Sequence, residues 1–166
     1  MQHRVYSTGP NRATILEERA LQAGDLTDPL LARFDALWRG KCGEGWLPGV
    51  DAFDPAEIVD LLPHIMLVDI IRDGEVPRIA TRLVGQHHAD LFGRATAANL
   101  FRYEAENDTA PRYARGRAGA EGKATCSFER ASWPPASDGW TVDQIVSVVS
   151  PRYSRPARVS SFFSWF

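Results

Sequence analysis

The chain has 166 residues, with 19 Lys+Arg against 21 Asp+Glu and a formal net charge of −2, a length that favours a single domain. Hydrophobic residues make up 44% and charged residues 24%, the balance of an ordinary globular chain that can bury a real core. The near-neutral charge leaves no basic footprint for nucleic acid; Cys42 and Cys126 are too few for a disulfide scaffold or a four-cysteine zinc site; and the apolar run over 58–71 is broken by Asp60, Pro63, His64 and Asp69, so no membrane span is predicted.

Residues 1–10 carry polar and turn-forming types without an apolar h-region, which predicts no signal peptide and makes the cytoplasm the default location. Asn11 is placed to cap a helix running to about Gln22, with Gly24 as its stop, although Ile15, Leu16 and Leu21 give it only a ragged apolar face. Residues 1–27 therefore read as an N-terminal extension. It is either frayed or a helix that packs against a partner or a second copy. The domain proper is expected over 28–166. Asp28 can cap a helix whose first residue is Pro29. Leu30, Leu31, Phe34, Leu37 and Trp38 then recur at helical spacing. A second helix start is marked by Asp54-Pro55-Ala56-Glu57, with Glu57 in the capping-box position and Pro63 as the stop.

Beyond Pro63 the period changes to that of strands. Residues 64–71 and 78–84 flank Asp73-Gly74, a pair suited to the positive φ angles of a tight hairpin. Strict alternation would put Ile79, Thr81 and Leu83 on one face of the returning strand and Arg78, Ala80, Arg82 and Val84 on the other. Short helices are predicted at 87–92 and 96–103, and a longer one over 105–119 with Pro111 in its first turn. Strand character returns at 124–133, 141–149 and 159–166, with turns at Pro134-Pro135 and Ser137-Asp138-Gly139. Strands clustered around a helical insert predict an antiparallel α+β domain.

The blocks Phe34…Trp38-Arg39-Gly40, Leu47-Pro48, Asp54-Pro55, Ile58, Leu61-Leu62-Pro63-His64-Ile65 and Leu67-Val68-Asp69 form a pattern. It continues through Arg82-Leu83-Val84-Gly85, Leu91-Phe92-Gly93-Arg94 and Asp138-Gly139 to Val142-Asp143-Gln144-Ile145. Over about 34–146 this resembles the bacterial stand-alone PAS family of alphaproteobacteria. The resemblance implies a PAS-like five-stranded antiparallel sheet with helices on one face, here with N-terminal helices added. It also implies a sensory or signalling module that acts through protein–protein contact. The sequence departs from the family pattern at Ala97-Ala98, where a Thr-Gly pair is usual, and over 131–136.

Chemistry-bearing residues are sparse. His87 and His88 are helical neighbours about 100° apart, which opposes chelation of one ion. No His lies between Ala105 and Gly122, where haem-binding PAS domains usually place a ligand, and Cys126 lacks the Asn-Cys-Arg-Phe context of flavin photosensors. Haem and flavin are disfavoured, no metal is expected, and the cofactor is unknown. There is no Gly-x-Ser-x-Gly elbow, no His-Glu-x-x-His and no phosphate-binding loop. Asp69, Asp90 and Glu129 are the carboxylates to watch. Eight Phe, five Trp and four Tyr are the better lead. The elements that enclose a PAS cavity carry Thr81, Leu83, His87, His88, Phe92, Phe101, Tyr103, Tyr113, Phe128 and Trp133. These are the expected pocket for a small apolar or aromatic ligand, with core packing as the plainer account of the aromatics. The expected function is a non-catalytic PAS-type signalling domain for an unidentified signalling partner, dimerising through 11–38. The alternatives are a small α+β enzyme using a cavity carboxylate, or a scaffold with a filled core.

Overall fold

The computed structural model describes residues 14–92, 109–119 and 125–153. Asp28 accepts hydrogen bonds at Oδ1 from the backbone N–H of Leu30 and Leu31, at 3.0 and 3.4 Å, and Pro29 opens helix α1 (Pro29–Lys41). The cap satisfies donors that the first helical turn leaves without partners. The helix buries Leu31, Phe34, Asp35 and Trp38, the i, i+3, i+4, i+7 spacing of one face. At the second start signal the capping box between Asp54 and Glu57 forms, but no full helix follows it. Two 3₁₀ turns, Pro55–Glu57 and Val59–Leu61, are separated by Ile58 at φ −124°. With Pro63 so close, the chain has room for turns only.

Strands β2 (Ile65–Ile71) and β3 (Arg78–Val84) pair antiparallel as expected. Their connection is a longer loop over 72–77: among the described glycines only Gly45 and Gly139 have positive φ, so Asp73-Gly74 does not make the tight turn. The strict alternation also fails. The register passes from Leu67↔Leu83 to Val68↔Thr81, leaving Arg82 in a bulge. One extra residue flips the side-chain phase. Ile79 and Val84 consequently reach the same face, against Met66, Val68, Ile70, Val142 and Ile145.

Helix α2 (Gln86–Phe92) follows. Three further strands are β4 (Arg112–Gly119), β5 (Cys126–Trp133) and β6 (Gln144–Tyr153). Two expectations of helix are corrected. Residues 112–119 are β4 rather than the end of a helix from 105. Residues 14–21 are a strand, β1 (Thr14–Leu21), rather than part of a helix over 11–22. Residues of intrinsic helix preference recur in both segments, Leu, Glu, Arg and Ala in β1 and Arg and Ala in β4, but β4 pairs β1 on one side and β5 on the other. Ladder pairing overrides propensity. The sheet is six-stranded and antiparallel, in the order β1-β4-β5-β6-β2-β3, rather than five-stranded. Residues 14–21 thus form an edge strand of the sheet and not a separate helical extension. The predicted pieces at 96–103 and 159–166, with Phe101 and Tyr103, lie outside the described residues.

Alternation assigns the two faces. Tyr113, Ala131, Trp133, Val146, Val148 and Ile65 pack with Leu31, Phe34, Trp38 and Phe53. The residues of opposite phase, Ala118, Cys126, Phe128 and Val149, pack with Leu91 and Phe92. Helices α1 and α2 therefore cover opposite faces of the sheet, not one face. Trp38, Phe34 and Leu31 are at most 2% exposed, and burying side chains of this size stabilises by roughly 1.5–3 kcal/mol each. The apolar stripe of α1 thus faces inward, and the dimer surface expected over 11–38 loses both its helix at 14–21 and that stripe.

Candidate functional site

The α1 face holds three buried carboxylates, Asp28, Asp35 and Glu129, each hydrogen-bonded. Asp35 stands within the helix stripe, and its carboxylate accepts from Tyr113 Oη (2.5 Å), Trp133 Nε1 (3.0 Å) and Arg39 Nε (2.7 Å). Burial works to raise its pKa, but the hydrogen bonds from Tyr113, Arg39 and Trp133 outweigh it and hold the group below the usual carboxylate range. Burial, and then the bond to Asp35, push the Tyr113 phenol upward, so it keeps its proton. Glu129 on β5 accepts from the backbone N–H of Thr27 (3.0 Å) and Asp28 (2.9 Å), from Thr27 Oγ1 (2.5 Å) and from Arg115 Nε (2.9 Å). Its pKa is lowered too: burial opposes ionisation, and the donors on Thr27, Asp28 and Arg115 overcome it. Asp28 completes the cluster by accepting from Ser150 Oγ at 2.6 Å. These groups clamp α1 to the sheet.

The α2 face is different. On β4 it carries Arg112, Ala114, Gly116 and Ala118, and the small Ala114 leaves a low floor between β1 and β5 beside Arg112. Across that floor Arg130 of β5 reaches Glu18 of β1 with two bonds, Nε to Oε2 at 2.9 Å and Nη2 to Oε1 at 2.7 Å. Fork-to-fork pairing of this kind fixes both side chains. A hollow of about 390 Å³ opens here, lined by Glu18, Ala20, Leu21, Gln22, Pro111, Arg112, Tyr113, Ala114 and Arg130. Its size lies within the ~300–1,000 Å³ of ligand sites. Farther along the same face Ser132 and Ser147 pair across β5 and β6 (Oγ–Oγ 3.4 Å), and His88 Nε2–H donates to the Ser147 carbonyl at 3.2 Å. With that proton on Nε2, Nδ1 of His88 is a bare acceptor, buried and without a partner.

The expected pocket does not assemble as one site. Thr81 and Leu83 are exposed on β3, Leu83 at 41%. Tyr113 and Trp133 belong to the core under α1, whereas Phe92 and Phe128 pack edge-to-face on the other side of the sheet. His87 and His88 diverge, as adjacent helical positions must: the His87 ring lies 4.3 Å from that of His64, and His88 turns to the sheet. Burial pushes the His88 pKa down to about 3. Asp69 is held by Arg82 and Gln144, Asp90 by Gln86, and Glu129 as above, so the three carboxylates do not converge. Cys126 is a buried core residue and Cys42 a partly buried loop residue. Among the described residues no group of three His, Cys, Asp or Glu is placed to hold a metal, and no helix is long and apolar enough to cross a membrane.

The hollow itself was missed from sequence, because its floor is defined by small side chains and its wall by a strand read as helix. Asp35 carried a signal that was legible: an acid within an apolar helical stripe has to find donors in the core. No family model, curated protein or solved structure matches the chain.

Proposed function

We propose that the chain is a PAS-type sensory or signalling domain that binds a small molecule in the hollow between β1, β4 and β5 and reports it through a protein–protein contact, without catalysis. The observation that carries this reading is the hollow of about 390 Å³, whose floor is left low by Ala114 and whose wall is the β1 edge. The family-like sequence blocks support it. So does the order of the five strands after β1, β4-β5-β6-β2-β3, which is consistent with a PAS-like topology. The lining suits a compact ligand with an apolar body over Ala20 and Ala114 and one polar group toward Glu18 and Arg130. This replaces the purely apolar or aromatic ligand expected from sequence. A carboxylate-based enzyme is the weaker reading, because Glu129 and Asp35 each accept from at least three donors, which hold their pKa values below the usual carboxylate range. A general acid or base needs a pKa near the working pH and a free path to substrate.

A ligand signals only if it binds two conformations with different affinity. β1 is the element whose position the hollow reads, since Glu18, Ala20 and Leu21 are its residues. Native mass spectrometry of the chain purified without denaturation should show a bound small molecule. Ala20→Trp, at an exposed position in the lining, should fill the hollow and remove it. If both proteins appear at their own bare chain masses, neither carrying an adduct at any concentration of added cell-extract metabolites, the ligand-binding reading is sunk.

A further inference from the structure

Two loops on the described surface each present the dipeptide Gly-Trp, and the two dipeptides interlock. Gly45 and Gly139 have φ of +66° and +85°, a left-handed conformation that favours glycine. The Trp46 ring lies against Gly139 so closely that a β-carbon there would overlap its ring nitrogen. Trp140 Cζ3 lies 3.8 Å from where a β-carbon of Gly45 would stand. Each tryptophan thus covers the glycine that precedes the other. The loops are tied by backbone bonds from Leu47 N–H to the Gly139 carbonyl (2.9 Å) and from Ala136 N–H to the Pro48 carbonyl (3.2 Å). A Gly43–Trp46 bridge closes the first loop, and Asp138 Oδ1 accepts from the N–H of Trp140 and Thr141 at 2.8 and 2.7 Å in the second. The scaffold is rigid, yet Trp140 is 66% and Trp46 39% exposed. The other tryptophans of the described residues, Trp38 and Trp133, are buried. Core packing does not require two large aromatic rings to be held in water.

The charge around the pair is one-sided. Residues 42–54 and 131–143 contain Glu44, Asp51, Asp54, Asp138 and Asp143 and no Lys or Arg. Glu44 sits at the tip of the turn next to Trp46, exposed like Asp51 and Asp138. Asp138 is held ionised by the backbone donors of Trp140 and Thr141. Lys41, at the near end of α1, is engaged with Glu57 at 3.2 Å. Exposed indole faces within a negative field attract a cation over the ring, arginine more often than lysine. Rigid Trp anchors are also the side chains that dominate protein–protein recognition.

We propose that the Trp46–Trp140 surface docks an arginine-bearing segment of a partner protein, with guanidinium groups stacked on the indoles and Glu44, Asp51 and Asp138 supplying the complementary charge. This surface is separate from the hollow and stands whether or not the hollow takes a ligand. The test is calorimetric titration of the full chain with a ten-residue peptide alternating Arg and Gly, with Lys-Gly and Glu-Gly peptides of the same length as controls. The expected order of affinity is Arg-Gly above Lys-Gly, with no binding of Glu-Gly. Trp140→Leu, which keeps an apolar side chain and every acidic charge, should weaken Arg-Gly binding about five- to tenfold. Glu44→Gln should weaken it less and flatten its salt dependence. Ala20→Trp should leave it unchanged. Near-ultraviolet circular dichroism of Trp140→Leu checks that the fold is retained. The proposal is overturned if Arg-Gly does not bind, if Trp140→Leu binds it as the parent does, or if the patch proves to join two copies. In that last case sedimentation would show a dimer that Trp140→Leu dissociates.

Discussion

His88 shows at the scale of one residue how the α2 face is built. Its ring is 1% exposed, donates from Nε2 to the Ser147 carbonyl and leaves Nδ1 without a partner. A buried acceptor that makes no bond destabilises the fold by about 1–3 kcal/mol, and protonating it would place an uncompensated charge in the core. Burial accordingly holds the folded pKa at about 3, against 6.5 for the free side chain. The unfolded chain takes up a proton at this residue below pH 6.5 and the folded chain only near pH 3. The folded state therefore loses about 1.4 kcal/mol per pH unit as pH falls through that interval. His87 is shifted the same way by burial and by His64, and adds to the slope. The buried carboxylates act lower: Asp35 and Glu129, with depressed pKa values, stabilise above their unfolded values of 3.8 and 4.5 and lose that contribution below them. The window from pH 6.5 to 5 isolates the histidines. Urea unfolding across it should show stability falling with pH in the parent, and a clearly flatter line in His88→Phe. An unchanged slope in the variant would mean that His88 is already protonated or exposed in the folded chain.

At the scale of elements, α1 is held by polar anchors as much as by its stripe. Its N-terminal cap residue Asp28 is tied to Ser150, while Glu129 receives the N–H groups of Thr27 and Asp28 and the guanidinium of Arg115. Glu129→Gln keeps the shape but turns an amide NH₂ toward donors that converge on this carboxylate, the N–H groups of Thr27 and Asp28 or the Thr27 hydroxyl and Arg115. Breaking a buried pair in this way should cost about 3 kcal/mol, and the loss should show as a lower denaturation midpoint with near-ultraviolet ellipticity from Trp38 and Trp133 weakened first. A loss below about 0.5 kcal/mol would show that solvent replaces the anchor. How legible these elements are in sequence follows from where their determinants sit. α1 is readable because Asp28, Pro29 and its stripe are local. β2 and β3 are readable because β2 is dense in Ile, Leu and Val, β3 intersperses apolar residues with polar ones, and turn residues lie between them. β1 and β4 are not, because Thr-Ile-Leu-Glu-Glu-Arg-Ala-Leu becomes a strand through a partner about a hundred residues away, and Arg-Tyr-Ala-Arg-Gly-Arg-Ala-Gly is held between that remote strand and β5. The same remoteness hid the hollow, whereas the Gly-Trp dipeptides were visible as letters and acquired meaning only when the two loops met.

At the scale of the whole molecule, the sixth strand connects the hollow to the rest of the sheet. Among the described residues β1 is paired on its β4 side alone, and it contributes Ile15 to the core that holds Leu91, Phe92 and Phe128. Its close seat depends on Gly116: a β-carbon there would lie 2.5 Å from the Glu17 carbonyl and 2.7 Å from Cζ of Phe128. Neither neighbour can yield freely, since one is backbone and the other a core ring, so Gly116→Ala should push β1 outward and cost about 1–3 kcal/mol by overpacking. The cost should be local. Hydrogen exchange should show the β1 amides losing protection while those of β5 and β6, in the middle of the sheet, stay protected, because edge and centre open with different free energies. Loosening β1 also separates Glu18 from Arg130, which span the floor of the hollow. If ligand occupancy and β1 docking are coupled, Gly116→Ala should lower the occupancy seen by native mass spectrometry, and ligand should in turn restore protection to β1, because coupling between two equilibria is reciprocal. Protection lost evenly across all six strands would instead make β1 an inseparable part of one cooperative unit, and the hollow would then have no movable wall.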